Sequence, residues 1–274
     1  MCANYTSIAD VRSACGIAST EISDADVTKL ILSAEGAINR YFNTSFVPKT
    51  EIETVDGTGI DTQFTRRGPL IRLIELKIDS TSITPDYVYI SKSGKLKLST
   101  NAEIIYFNKS YPQLISIKYS YGRVEKNEDV STTTSNAEVA GDSTTVEVPS
   151  TTGLSQYDYI SIFGMDGNQE ITQINSLVED TSLNLNLSHP HEAGSSIVLV
   201  EVPATVQRLA AVLTSLMMVA RIVGQSYTDI VGYNIGPMHV QKGEPYTQWR
   251  ETASQLDKER KILIEKIPIT LAVA

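Results

Sequence analysis

Cysteine is nearly absent from this chain, with Cys2 and Cys15 its only two, and neither stands in a CxxC pair or at metal-ligand spacing. That excludes a zinc knuckle or dithiol redox centre built on cysteine and leaves two reduced thiols as the expectation. Histidine is equally scarce, at His189, His191 and His239. Nucleophilic catalysis therefore has few bases to draw on. Positive charge is also in deficit, with 23 Lys and Arg against 32 Asp and Glu and a net charge of -9. A broad duplex-DNA clamp needs phosphate-neutralising cations, so that class is disfavoured. An acidic wall beside a conduit would instead repel the phosphate backbone and let DNA slide. Long apolar runs are missing too: the best, residues 209–223, is shorter than the roughly 18 residues of a membrane span and is interrupted by Thr214, Ser215 and Arg221. The opening Met-Cys-Ala-Asn-Tyr-Thr has no basic region or apolar core, so we expect no secretory signal and assembly in the cytoplasm.

What remains is ordinary globular material, 274 residues with 41% hydrophobic and 20% charged side chains, enough for one large domain or two modest ones. Ser7 suits an N-cap for a short helix through Cys15, with Asp10 in its first turn and Gly16 beyond its end. Ser23 caps a longer one, in which Val27, Leu30, Ile31, Ala34, Ile38, Tyr41 and Phe42 recur at steps of three and four. Asp24 and Asp26 are explained by the dipole of that helix.

From residue 51 to 122 the pattern changes to short runs rich in β-branched and aromatic residues, at 71–78, 87–90 and 114–121, punctuated by Gly and Pro. These predict antiparallel strands. Residues 125–139, dominated by Ser, Thr, Asn, Glu and Asp, read as a linker. Residues 140–201 then form a compact β module with strands at 144–148, 157–163, 170–177, 182–187 and 196–202, the pattern of a small barrel or sandwich. The fold class expected is α+β. Residues 1–124 and 202–274 would make a core of about four helices with antiparallel β segments, and the module would be inserted into one of its surface connections.

Pro203 opens a helix to Val223 that is apolar nearly all round and ended by Gly224. A Gly-rich, hairpin-like loop follows, carrying Tyr227, Ile230, Val231, Tyr233, Ile235 and Met238. So much apolar area on a loop either folds back on its own core or covers a neighbouring subunit. The last helix, residues 245–266, lines up Tyr246, Trp249, Ala253, Leu256, Leu263 and Ile267, with Arg260 interrupting the stripe. After Pro268 the tail Ile269-Thr270-Leu271-Ala272-Val273-Ala274 is apolar and uncharged in its side chains. Pairing with another chain's strand would satisfy its backbone.

No constellation here builds an active site. His189, Pro190, His191 and Glu192 read as a solvated turn rather than a metal site. The Asp56-Gly57-Thr58-Gly59-Ile60-Asp61 run lacks the endings of a Walker loop or an EF-hand and reads as a turn between strands. Arg66-Arg67, Arg123 with Lys126, and Lys258-Glu259-Arg260-Lys261 read as solvated faces or ion pairs. No catalytic residue, cofactor or metal is expected.

The run Ser7-Ile8-Ala9-Asp10-Val11-Arg12, the helix ending Ile38-Asn39-Arg40-Tyr41-Phe42, the β region ending Tyr119-Ser120-Tyr121-Gly122, the helix opening Val202-Pro203-Ala204-Thr205-Val206-Gln207-Arg208-Leu209-Ala210-Ala211 and the closing amphipathic helix stand in an order that resembles the head-to-tail connector (adaptor) proteins of tailed bacteriophages. The resemblance covers most of the chain outside residues 125–201. It implies a structural virion protein of the head-tail junction, a homo-oligomeric ring of about twelve copies beneath the portal. Such a ring would carry double-stranded DNA through its lumen without reading sequence, during packaging and ejection, and would dock neck or tail-completion proteins without touching a membrane. It further implies that Ile267, Pro268, Ile269, Thr270, Leu271, Ala272, Val273 and Ala274 engage the portal. Tyr227, Ile230, Val231, Tyr233, Ile235, Met238 and Trp249 become candidates for subunit or neck contacts. Three alternatives stand beside it. A tail-terminator ring should lack the long helix after Pro203. A carbohydrate-binding module would use Tyr157, Tyr159 and Phe163. A nuclease would rest on Asp24, Asp26 and Glu35.

Overall fold

Local capping sets where the first helices begin. In the computed structural model, which describes residues 5–84, 88–90, 94–99, 104, 106–107, 115–164, 169–226, 232–235, 238–241 and 245–267, α1 spans Ile8–Cys15. Its Ser7 side chain accepts from the Asp10 N–H while the Asp10 carboxylate answers the Ser7 N–H, a reciprocal capping box. Gly16, at φ 69°, closes the helix in the left-handed conformation. Helix α2, Asp24–Phe42, buries Val27, Ile31, Ala34, Ile38 and Phe42 on one stripe. Helix α3 spans Ala204–Ser226 and α4 spans Pro245–Lys266. Between them Gly232–Ile235 (β14) and Met238–Gln241 (β15) pair as an antiparallel hairpin.

These helices form one compact unit made from the two ends of the chain. Its core joins Val11, Ile17, Val27 and Ile31 to Ala211, Met218 and Val219, with Leu30, Trp249 and Ala253 packed partly buried against it. Among the described side chains of α3, two polar ones are fully buried, and both are satisfied. Thr214 Oγ1 donates to the Ala210 carbonyl (2.8 Å) and Ser215 Oγ to the Val11 carbonyl (3.1 Å). Three expectations about α3 change. It runs through Gly224 to Ser226, because one glycine costs a helix only about 1 kcal/mol. It is wet on one flank, where Gln207, Arg208 and Arg221 are exposed. And residues Ala204–Ile222, with mean hydropathy 1.3, are long and apolar enough by composition to cross a membrane, although half of that stretch is buried in the protein, as suits a core helix.

The middle of the chain is a separate β unit. Strands β1 (Lys49–Val55), β3 (Leu70–Ile78), β4 (Thr81–Ile83) and β7 (Ile115–Tyr121) form an antiparallel sheet in the order β1-β7-β3-β4. Along β7, Ile115, Ile117 and Tyr119 are fully buried and alternate with less buried Ser and Lys, as the period of two requires. A smaller sheet, β2 (Thr62–Phe64), β6 (Lys95–Leu98) and β5 (Val88–Ile90), shares their core through Leu96, Leu98 and Val88. Gly122 then leads the chain out of β7. A side chain there would put its Cβ 2.8 Å from the Val47 carbonyl oxygen, so only glycine fits.

The third sheet has six strands in the order β8-β13-β10-β11-β12-β9, all antiparallel: β8 (Glu125–Thr133), β9 (Gly141–Glu147), β10 (Tyr159–Phe163), β11 (Gln169–Leu177), β12 (Ser182–Leu187) and β13 (Ser196–Glu201). The Ser135 N–H, just past β8, donates to the Glu147 carbonyl at the end of β9 (2.8 Å). The sheet's two ends meet there, and its inward residues, Ile160, Ile162, Ile174, Leu183, Leu185 and Ile197, close over one core, so we describe it as a barrel.

Residues 125–139, expected as a linker, instead supply β8 and a β-bridge from Glu138 to His191. The polar composition misled because β8 is an edge of the sheet, exposed over most of its length, and needs only Val130 to reach the core. The register explains how. Asn127 faces Leu199 and Ser131 faces Val198, so residues 128–130 bulge out and Val130 turns inward. The domain boundaries also fall differently from those expected, after Phe42 and before Pro203, so the first β sheets group with the barrel rather than with the helices. Four helices and antiparallel sheets among the described residues are compatible with the α+β class.

Candidate functional site

The carboxylates proposed for metal-dependent chemistry are occupied by the fold. Asp24 pairs with Arg12 (2.5 Å). Asp26 meets Lys29 (3.4 Å) and Arg221 (3.3 Å), and its carboxyl lies below the usual range, first through its hydrogen bond with Ser23 and then through these cations. Glu35 accepts the Tyr5 N–H at 2.8 Å. No group of three or more potential metal-ligating side chains occurs among the described residues. The basic spots are used similarly: Arg66 faces Glu53 (3.9 Å), Arg67 faces Glu51 (3.8 Å), Arg208 holds Glu259 through two nitrogens (2.6 and 3.0 Å), and Arg260 and Lys261 both meet Asp257. The Asp56 to Asp61 run links β1 to β2 of the neighbouring sheet. It is tied down by Gly59 N–H to Phe107 carbonyl (2.7 Å) and Phe107 N–H to Ile60 carbonyl (2.8 Å).

The strongest polar cluster is one that sequence reasoning missed. Glu170, on β11, is 2% exposed. Its carboxylate accepts from the N–H groups of Ser188 (2.8 Å) and His189 (3.2 Å), faces His191 Nε2 at 3.3 Å, and pairs with Arg72 of β3 at 3.3 Å. Burial alone would raise its pKa. The His191, Ser188 and Arg72 contacts outweigh burial and hold it below the ordinary value. His191, expected in a solvated turn, is therefore buried, because the residues after His189 bridge back to Glu138 with both backbone hydrogen bonds made (2.7 and 2.9 Å). No local signal marks this site, since its members come from three separated segments.

The interface candidates divide. Ile267 is buried within the chain and Trp249 packs against the helical core, so both give much of their area to this protein's own fold. Tyr233 and Ile235 lie on β14 and Met238 on β15, but their side chains, with Tyr227, Ile230, Val231 and residues 268–274, fall outside the described residues. Of the aromatics weighed for sugar binding, Tyr157 (65% exposed) and Phe163 (48%) are open and Tyr159 is half-buried.

Charge is unevenly spread. From Glu125 to Val202 there are thirteen Asp and Glu and one cation, Lys126, whereas from Asn43 to Val124 eleven Lys and Arg outnumber eight Asp and Glu. The whole negative balance of the protein thus resides in the barrel. No protein-family model matches this chain, and no curated protein matches it.

Proposed function

We propose that this protein is a structural subunit of a tailed-phage virion, a head-to-tail connector that forms a ring beneath the portal and extends the DNA channel towards the tail. The observation that carries the proposal is the helical unit itself. Two N-terminal helices, a long helix and a C-terminal amphipathic helix come together from opposite ends of the chain, with β structure in the intervening connection. The long, half-buried helix α3 favours a connector over a tail terminator. Substrate chemistry has no place in this account, and neither does a cofactor.

The barrel's charge supports a position away from strong phosphate contact, on the rim of the ring where neck proteins dock, or along a wall that DNA slides past. The portal would be engaged by the C-terminal tail. Removing residues 269–274 should leave a folded protein that no longer binds portal. Normal yields of filled, tailed particles from that truncation would overturn the proposal. The exposed Tyr157 and Phe163 rings favour, as a second reading, glycan recognition by the barrel, which a glycan array with the full chain tests directly.

A further inference from the structure

The barrel and the four-stranded sheet have separate apolar cores, one built on Ile160, Ile162 and Leu185 and the other on Leu76, Ile115 and Ile117. Among the described residues, an ion pair crosses between them. Arg72 leaves β3 with its Nη1 3.3 Å from Glu170 of β11, and its buried Nε has no hydrogen-bond partner. A polar junction between two apolar cores behaves differently from a shared core: it can open without exposing either core to water.

We propose that this junction is an acid-sensitive latch, in which Arg72 and Glu170 seat the barrel on the sheet and protonation of Glu170 releases the barrel to move as a body about the Gly122 connection. The inference goes beyond the connector reading and does not depend on it.

The carboxylate is the keystone because it answers donors from both the barrel and the sheet. From the barrel come the Ser188 and His189 amides and the His191 ring; from the sheet comes the Arg72 guanidinium. His191 Nε2 faces Glu170, its Nδ1 is buried without a partner, and its backbone is bridged to Glu138. Glu138 is the other acid acting on that ring, its own carboxyl pushed up by burial, which a hydrogen bond from the Glu147 amide opposes. A proton added to Glu170 from solvent removes the charge that Arg72 faces, and leaves a partly buried guanidinium, its Nε already without a partner, beside a neutral acid. Seating is then less favourable, and the Nε regains water if the junction opens. The opposite charge balance of the two bodies adds long-range attraction that the same protonation weakens. The sign is fixed: Glu170 lies below its ordinary value, so its contribution is present above the unfolded-state range and is lost as pH falls through the folded one.

The test is amide-exchange protection, corrected for intrinsic pH dependence, on the full chain from pH 7 downwards, with solution scattering alongside. The wild type should lose protection at Ser188 and His189, and expand, at a pH where Ile160, Ile162 and Ile117 remain protected. Glu170→Gln should show the open state already at neutral pH, with at least about tenfold less protection at Ser188 and His189. Arg72→Met keeps the carboxylate and removes the cation it seats, so it should show the open state already at neutral pH, with no further opening as pH falls. The latch is wrong if junction and barrel core lose protection together in one unfolding step, or if Arg72→Met stays closed at neutral pH and opens with acid as the wild type does. Should Glu170→Gln fail to fold, the wild-type titration and Arg72→Met still decide.

Discussion

Gly153→Ala is the sharpest probe of the barrel, because it reaches the strand that composition concealed. Gly153 sits at φ +84°, and an added Cβ would stand 2.9 Å from Val130 Cγ1 and 3.3 Å from Cγ2. The left-handed backbone costs an alanine about 1 kcal/mol. Overpacking against a valine that is itself wedged into the barrel core adds about 1–3 kcal/mol. We expect a loss of about 2–4 kcal/mol. Val130→Ala alone should cost about 1.5 kcal/mol, for two methyl groups withdrawn from the core. The double variant relieves the clash, so it should be more stable than the sum of the singles predicts, by at least about 1 kcal/mol. Tryptophan fluorescence would follow the wrong unit, since Trp249 belongs to the helical one. Denaturant-dependent amide exchange at Ile160 and Ile162 is the readout. Costs that add to within about 0.5 kcal/mol would mean that Val130 does not pack on Gly153, and that residues 125–133 act as the linker their composition suggests.

Further variants test other joints. Burial raises the Glu53 carboxyl, with the Arg66 amide opposing, so its favourable contribution fades as pH rises through the folded value. Glu53→Gln should flatten the stability profile above about pH 4 and raise stability at neutral pH, measured by thermal melts across pH. Ser7→Ala removes the capping box of α1 and should cost about 1 kcal/mol in denaturant unfolding of the helical unit. Ser215→Ala strips the Val11 carbonyl of a buried donor, for a loss of about 1 kcal/mol in the same assay; an unchanged midpoint would argue against that contact. Ile162→Ala, at a fully buried barrel position, should cost about 2–5 kcal/mol, read from exchange at Ile174.

Much of this architecture was legible because caps and periodicity are local. Ser7, Gly16 and Pro203 bracket helices within a residue or two of where they occur, and five barrel strands follow their alternation. The failures share a cause. Strand β8 carries one inward apolar residue on a bulge, and no window over residues 125–139 separates that from a linker. His191 is buried by a bridge to Glu138, more than fifty positions earlier, and Glu170 draws Arg72 from nearly a hundred positions away. Such pairings exist only once the sheets are assembled. The surface candidates Trp249 and Ile267 were legible as apolar stripe positions, but a stripe does not say whether the covering partner is the same chain or another.

The central claim, a ring seated on the portal, is tested most directly by cryo-electron microscopy of this protein mixed with its cognate portal or imaged in the purified virion neck. The account predicts a closed ring stacked on the portal, with residues 269–273 strand-paired to it and the acidic barrels on the rim or facing the neck. A monomer that ignores the portal, with its barrel bound to host glycan, would contradict it.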